Sequence, residues 1–215
     1  DEAIGEADLQ IEFKNQKLAH LKFAVQKTDF PRRDIILPKN YVDFTPEEVA
    51  KINAENDKMI GVMSRYSETK LWEGPFIRPV PGKLVSPFGQ LRFIDGEPKS
   101  PHTALDLQGA VGDPVYPTNS GVVVMAETFF LPGNTIIIDH GQGIYSMYFH
   151  LNKIRAQVGD TVLKSTLVGD LGQTGRATGP HLHFGMRMNK AKIDPLKLIG
   201  LKFFTENSPE LAQLK

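Results

Sequence analysis

The sequence predicts a mainly β fold: an antiparallel β domain preceded by a small β segment and one helix. Three observations carry that expectation. From Trp72 onward, short β-branched or alternating runs recur between Gly, Pro, Asn and Asp residues: Lys83-Leu84-Val85, Gly121-Val122-Val123-Val124, Thr135-Ile136-Ile137-Ile138 and Ile144-Tyr145-Ser146-Met147-Tyr148. Short strands spaced in this way indicate an antiparallel all-β domain. Nearer the start, Leu9, Ile11 and Phe13, then Leu21, Phe23 and Val25, alternate as two strands of a small sheet would. One segment between these regions carries helix punctuation.

The two N-terminal strands lie between about Asp8 and Phe30, after which Pro31-Arg32-Arg33 breaks the alternation and Ile35-Ile36-Leu37-Pro38 leads onward. The helix starts at Thr45, a good N-cap, with Pro46 at the first helical position and Glu48 where a capping box needs its carboxylate. Val49, Ile52, Met59, Ile60 and Met63 form an apolar stripe at helical spacing, which serves burial. A boundary falls near Glu68–Gly74, giving an accessory segment and helical linker over 1–70, a domain over 71–200 and a C-terminal extension over 201–215. Within the domain, Val111-Gly112-Asp113-Pro114-Val115 recurs as Val158-Gly159-Asp160-Thr161-Val162, which suggests two equivalent hairpins. Such a hairpin also occurs in biotinyl and lipoyl carrier domains. The repeat is too short to make a solenoid.

Bulk composition bounds the function. Lys plus Arg and Asp plus Glu balance at 25 each, so no global field draws the chain to nucleic acid or anionic lipid. The absence of cysteine removes disulfides, thiolate ligands and a Cys nucleophile. No apolar run is long enough to cross a bilayer, and the first residues lack a signal peptide's pattern, so the sequence reads as a soluble, trimmed product. Hydrophobic residues at 40% can supply a sizeable core.

Four of the six histidines sit in three short motifs of the β-rich part. In His102-Thr103-Ala104-Leu105-Asp106, strand alternation turns Asp106 away from the apolar side taken by Leu105 and Leu107. In His181-Leu182-His183, residues i and i+2 share a face, so both imidazoles enter one cavity while Leu182 packs behind. His150, in Tyr148-Phe149-His150-Leu151, closes a strand. Imidazole and carboxylate are normal zinc ligands, and three ligands with an open position describe a catalytic zinc. The surplus histidine suits proton transfer. Spacing alone leaves open whether His181 or His183 completes the ligand set. His20 and His140 read as structural or solvated.

The ordered set His-x-x-x-Asp, Tyr-x-His-Leu and Thr174-Gly175-Arg176-Ala177-Thr178-Gly179-Pro180-His181-Leu182-His183-Phe184 resembles the LytM/lysostaphin-type zinc metallopeptidases. Ser86-Pro87-Phe88-Gly89 with Arg92, Asn134 through Gly141, and Ile193-Asp194-Pro195 extend the likeness from about Trp72 to Leu198. The resemblance implies a twisted antiparallel sheet with one zinc in a groove, bound by His102, Asp106 and His183, with His150 and His181 as non-ligand catalytic histidines. It further implies endopeptidase action on peptidoglycan stem peptides or cross-links outside the cytoplasm, a D,D-cross-link rather than a glycine bridge being the first choice. Ala104 stands where the family usually has Gly, and Ala177 where Ser or Thr is frequent. Two other readings stay in view: a LytM-type activator that binds another wall hydrolase, and a carrier domain, which would need a modified lysine at a hairpin tip. The N-terminal segment could lie across the groove. Trp72, Phe76 and Phe88 could line the substrate path, although core packing is their ordinary role.

Overall fold

The computed structural model describes residues 5–13, 16–36 and 41–201, so Asp1–Ile4, Leu37, Pro38 and nearly all of the expected C-terminal extension lie outside the described residues. The chain separates after Pro31 into two compact units. The first is a hairpin in which β1 (Gly5–Phe13) pairs antiparallel with β2 (Gln16–Val25). Leu9 stands opposite Leu21 and Ala7 opposite Phe23, as the alternation predicts. His20 faces Asp8, its Nε2 3.0 Å from Oδ1, so this histidine has a partner across the ribbon.

The second unit begins with β3 (Arg32–Ile35), followed by α1 (Pro46–Met63). The capping box is present: Thr45 Oγ1 accepts from the Glu48 N–H at 3.2 Å, and Glu48 Oε2 accepts from the Thr45 N–H at 2.8 Å. The apolar stripe is buried only in part. Met59 and Met63 are buried against Met125, Phe129, Ile137, Tyr145 and Met147, whereas Val49 and Ile60 remain exposed. The helix meets the sheet with its C-terminal half, and polar contacts tie down the middle: Glu55 accepts from the Phe130 N–H at 2.8 Å, and Lys58 bonds Glu127 at 2.7 Å.

The strands that follow are β4 (Leu84–Ser86), β5 (Leu91–Ile94), β6 (Glu97–Lys99), β7 (Leu105–Gln108), β8 (Pro114–Val115), β9 (Gly121–Phe129), β10 (Gly133–Asp139), β11 (Ile144–Leu151), β12 (Lys153–Ile154), β13 (Thr161–Val162), β14 (Gly169–Asp170), β15 (His181–Met188) and β16 (Ala191–Ile193). The main antiparallel sheet runs β13-β9-β10-β11-β15-β7-β4, with β16 also on β15. Two small sheets, β12-β14-β8 and β3-β5-β6, complete the unit; β3 and β5 are parallel. The fold is thus mostly β and antiparallel. A short second helix, α2 (Pro195–Ile199), follows the last strand, its N-cap Asp194 accepting from the Leu196 N–H at 3.0 Å. This helix is not among the elements that the sequence predicts, although an Asp N-cap followed by Pro is ordinary start chemistry.

The two Val-Gly-Asp segments make equivalent turns. Gly112 and Gly159 both have φ +97°, and Asp113 and Asp160 cap them alike, accepting from the N–H of Ala110 at 2.7 Å and of Gln157 at 2.8 Å. The strands they launch do not form local hairpins: β8 joins β14 and β13 joins β9. Neither turn carries a lysine.

The core lies on one face of the main sheet, where Leu105, Leu107, Ile136, Ile138, Tyr148, Leu182 and Phe184 are almost fully buried. Burying each such side chain stabilises the fold by about 1.5–3 kcal/mol. Phe76 belongs to this core, and Trp72 and Phe88 pack against it from its edge. His140 is buried rather than solvated. Its Nδ1–H donates to the Ser120 carbonyl at 2.8 Å, so Nε2 accepts from the Ser146 hydroxyl at 2.7 Å. Ser146 Oγ lies 2.9 Å from the Tyr148 hydroxyl, which accepts from the Thr118 N–H at 2.8 Å. Every member of this chain is satisfied, as a polar group in a core must be.

Candidate active site

His102 precedes β7 and is held twice by the Pro87–Gln90 turn. Its N–H donates to the Gln90 carbonyl at 2.9 Å, and its carbonyl accepts from the Gly89 N–H at 2.7 Å. Gly89 has φ +81°, a conformation that glycine adopts without strain. The ring is fixed as well, with Nδ1 3.1 Å from the Pro87 carbonyl oxygen. A carbonyl only accepts, so Nδ1 carries a proton and Nε2 is the nitrogen turned towards Asp106. The Ser86-Pro87-Phe88-Gly89 motif therefore orients this imidazole.

Asp106 lies in β7 between two partners, opposite His183 of β15 and Ser86 of β4. That register gathers three acceptor atoms. Asp106 Oδ1 is 2.8 Å from His183 Nδ1 and 3.1 Å from His102 Nε2, and the two ring nitrogens are 3.3 Å apart. Burial alone would push the Asp106 carboxyl up, but hydrogen bonds and charge from His102 and His183 hold it far below the usual carboxylate range. Burial pushes the His183 pKa down against the pull of Asp106, and Phe149 stacks on the ring at 5.4 Å between centroids. A carboxylate and two imidazoles, one with its second nitrogen committed to a carbonyl, are the donor set that a divalent cation takes once the rings give up their metal-facing protons. The residues fit zinc. Ala104 is buried near Gly185, where an added Cβ would lie 3.7 Å from the Ala104 methyl, an ordinary contact.

His181 shares the face of His183, with Leu182 buried behind both. Its Nδ1 is 2.8 Å from the Gly179 carbonyl, and its Nε2 is 3.7 Å from Asp106 Oδ1, outside the close group of three. His150 reaches the site through a bulge. Between β10 and β11 the register steps from Ile136 opposite Tyr148 to Asn134 opposite Leu151, so β11 has one residue more. His150 takes up the difference at φ +62°, which costs a non-glycine residue of order 1–2 kcal/mol. Its N–H donates to the Pro132 carbonyl at 2.8 Å, and its ring Nδ1–H to the Thr174 carbonyl at 2.8 Å. Burial first, then the neighbouring His183 and His181, lowers its pKa to about 3, so the ring is neutral with Nε2 as an acceptor. The His150 and His181 rings are 4.9 Å apart.

These groups open onto a cavity of about 270 Å³. Arg33, Ile35 and Tyr41 form part of its wall, beside Arg92 and Arg176. Arg92 Nη2 is 3.4 Å from Asp106 Oδ2, and Arg176 Nη1 donates to the Tyr41 carbonyl at 3.0 Å. Trp72, Phe76 and Phe88 do not line it. The sequence reading assigned no role to the three arginines. Arg92 and Arg176 stood inside quoted motifs, but only the fold brings Arg33 beside them.

Comparison with known proteins identifies the family. The sequence profile of peptidase family M23 matches residues 100–195. The peptidoglycan DD-endopeptidase ShyA of Vibrio cholerae is 37% identical over 98 residues, which are 46% of this chain and 23% of that protein. A crystal structure of a zinc-containing peptidase from Vibrio cholerae aligns with a TM-score of 0.53 at 27% identity, covering 64% of this chain and 41% of that one. A crystal structure from Pseudomonas aeruginosa, assigned to peptidase M23, aligns with a TM-score of 0.72 at 30% identity, covering 92% of this chain and 75% of that one. The chain spans about a quarter to a half of the length of the curated relatives first matched. By the profile match and by a likeness extending over most of both chains, this protein belongs to peptidase family M23.

Proposed function

We propose that the protein is a zinc-dependent endopeptidase that hydrolyses amide bonds in peptidoglycan stem peptides or cross-links outside the cytoplasm. The observation that carries this reading is the convergence of His102 Nε2, Asp106 Oδ1 and His183 Nδ1 within 3.3 Å of one another, beside two further histidines. These three residues would hold one zinc ion. Zinc held there would polarise a carbonyl and lower the pKa of a bound water to about 7.

The chain's own groups do the rest. Nδ1 of His150 and of His181 is tied to a backbone carbonyl, so each presents Nε2 to the cavity. His150, neutral by burial, takes the proton of the attacking water. His181 stabilises the developing oxyanion or protonates the leaving amine. The wall residues Arg33, Ile35 and Tyr41, with Arg176, Ala177 and Thr178, position the peptide. Residues 71–200 form the catalytic domain in this scheme, with 1–70 as an accessory segment and 201–215 as an extension. A D,D-cross-link is the preferred bond, in keeping with the names of relatives such as ShyA.

Purified sacculi digested with the zinc-loaded protein, followed by mass spectrometry of the muropeptides, test the proposal. New peptide termini at the cross-link are expected. An intact sacculus to which a wall hydrolase is recruited would replace it with the activator reading.

A further inference from the structure

Three guanidinium groups, those of Arg33, Arg92 and Arg176, line the cavity beside the catalytic histidines. Asp106 is the only carboxylate among the described residues that line it, and a metal ion would claim that charge. The chain as a whole is formally neutral, so this is a local accumulation of positive charge that packing alone does not require. Placing like charges together costs free energy unless an anion joins them.

Their hydrogen bonding leaves room for that anion. Arg92 Nε is buried with no partner, an atom whose desolvation remains uncompensated. Arg33 gives one long bond, 3.4 Å, to the Val85 carbonyl, and Arg176 gives Nη1 to the Tyr41 carbonyl. The planar fork of arginine matches a carboxylate in a way lysine does not.

The location says which carboxylate. Arg92 touches Asp106, so the cluster lies next to the point where the scissile amide must sit. An internal residue of an ordinary peptide offers no backbone carboxylate there, and a glycine bridge offers none at all. A carboxylate is present only where the carbon bonded to the leaving nitrogen bears it freely. That is the case at a C-terminal residue, and at a cross-link made onto the side-chain amine of a diamino acid through its carboxylate-bearing carbon. We infer that Arg33, Arg92 and Arg176 form a carboxylate-binding subsite that selects peptides with a free carboxylate on the leaving-amine residue. This rests on the peptidase reading and narrows its substrate class.

The test uses the zinc-loaded protein and two D-alanyl-D-alanine peptides that differ only in a terminal carboxylate or carboxamide. The carboxylate peptide is expected to have a kcat/KM at least tenfold higher. In Arg33→Gln and Arg176→Gln that ratio should fall towards one, while Arg33→Lys keeps part of it. The ratio does not depend on the fraction of protein that is folded. Binding of non-cleavable versions of both peptides, followed by calorimetry, separates the two claims. Preferential binding of the carboxylate form without cleavage of either peptide or of sacculi would sink the peptidase reading and leave the subsite standing. Equal binding, or equal cleavage, of the two forms overturns the subsite.

Discussion

Asp106 and His183 are direct cross-strand partners in the β7–β15 pair, and Asp106 Oδ1 lies 2.8 Å from His183 Nδ1. Two proposed ligands are therefore fixed by sheet register, while the third, His102, is fixed by a turn. Because the register sets the donor pair, removing either member should empty the site rather than weaken it. Asp106→Ala and His183→Ala are expected to bind less than a tenth of an equivalent of zinc. Metal analysis of the purified variants would contradict the assignment if one full equivalent remained.

The two carbonyl-anchored histidines should behave differently. His150→Ala and His181→Ala are expected to keep zinc and to lose about 10²–10⁴-fold in turnover, the range ordinary for general acid–base groups. Either variant retaining near wild-type hydrolysis of sacculi, at full metal content, would remove that residue from the mechanism.

The left-handed backbone at His150 gives a stability prediction that is separate from catalysis. At φ +62° alanine keeps the strain and glycine relieves it. Both substitutions abolish the imidazole, yet His150→Gly should be more stable than His150→Ala by about 1 kcal/mol. Urea unfolding of the two variants measures the difference, and equal midpoints would count against a strained backbone.

His140 sets a pH dependence of folding. Its pKa is lowered from 6.5 to about 4 by burial, opposed by its bond to the Ser120 carbonyl. The unfolded chain therefore binds this proton more readily than the folded one as the pH drops below 6.5. Stability is fully present above that value and declines until about pH 4, by up to about 3 kcal/mol at about 1.4 kcal/mol per unit. Nuclear magnetic resonance should show the His140 ring still neutral at pH 5; a midpoint near 6.5 would refute the burial argument.

Gly175 supports His150 from a distance. It has φ +70°, and an added Cβ would come within 2.4 Å of Gly133 N and Leu131 O. Gly175→Ala should destabilise the fold by more than about 2 kcal/mol, combining overpacking with strain. It should also lower turnover, because the displaced loop carries the Thr174 carbonyl that anchors His150. Unchanged unfolding and unchanged kcat would show the two loops to be uncoupled.

What the sequence made legible follows from the range of each signal. The shared face of His181 and His183 and the burial of Leu182 depend only on strand alternation, so they could be read directly. The capping box at Thr45 and Glu48 is equally local. The apolar stripe of α1 misled in part because helical period says which side is apolar, not how far the underlying sheet extends: Met59 and Met63 meet it, Val49 and Ile60 do not. The Val-Gly-Asp turns were readable, but the partners of the strands after them were not, since pairing is settled between distant residues. Arg33 gave no signal at all, because a parallel pairing with β5 is what brings it to the cavity. His140 gave only a turn-like context, and its burial depends on a hydroxyl network spread over three segments.

The extra residue in β11 makes the histidine's position a matter of counting. Deleting one residue between Tyr148 and Leu151 would restore continuous pairing with β10, and the sheet could accept the shortened strand without losing its ladder. The imidazole would then leave the cavity or lose its bond to Thr174. Length variation is therefore expected to be easier in the exposed Asp95-Gly96 turn between β5 and β6 than at this strand end, where the proposed role of His150 depends on spacing. A chain of this family that lacked the inserted residue would still be expected to fold, but without a histidine in the place that the proposed proton transfer needs.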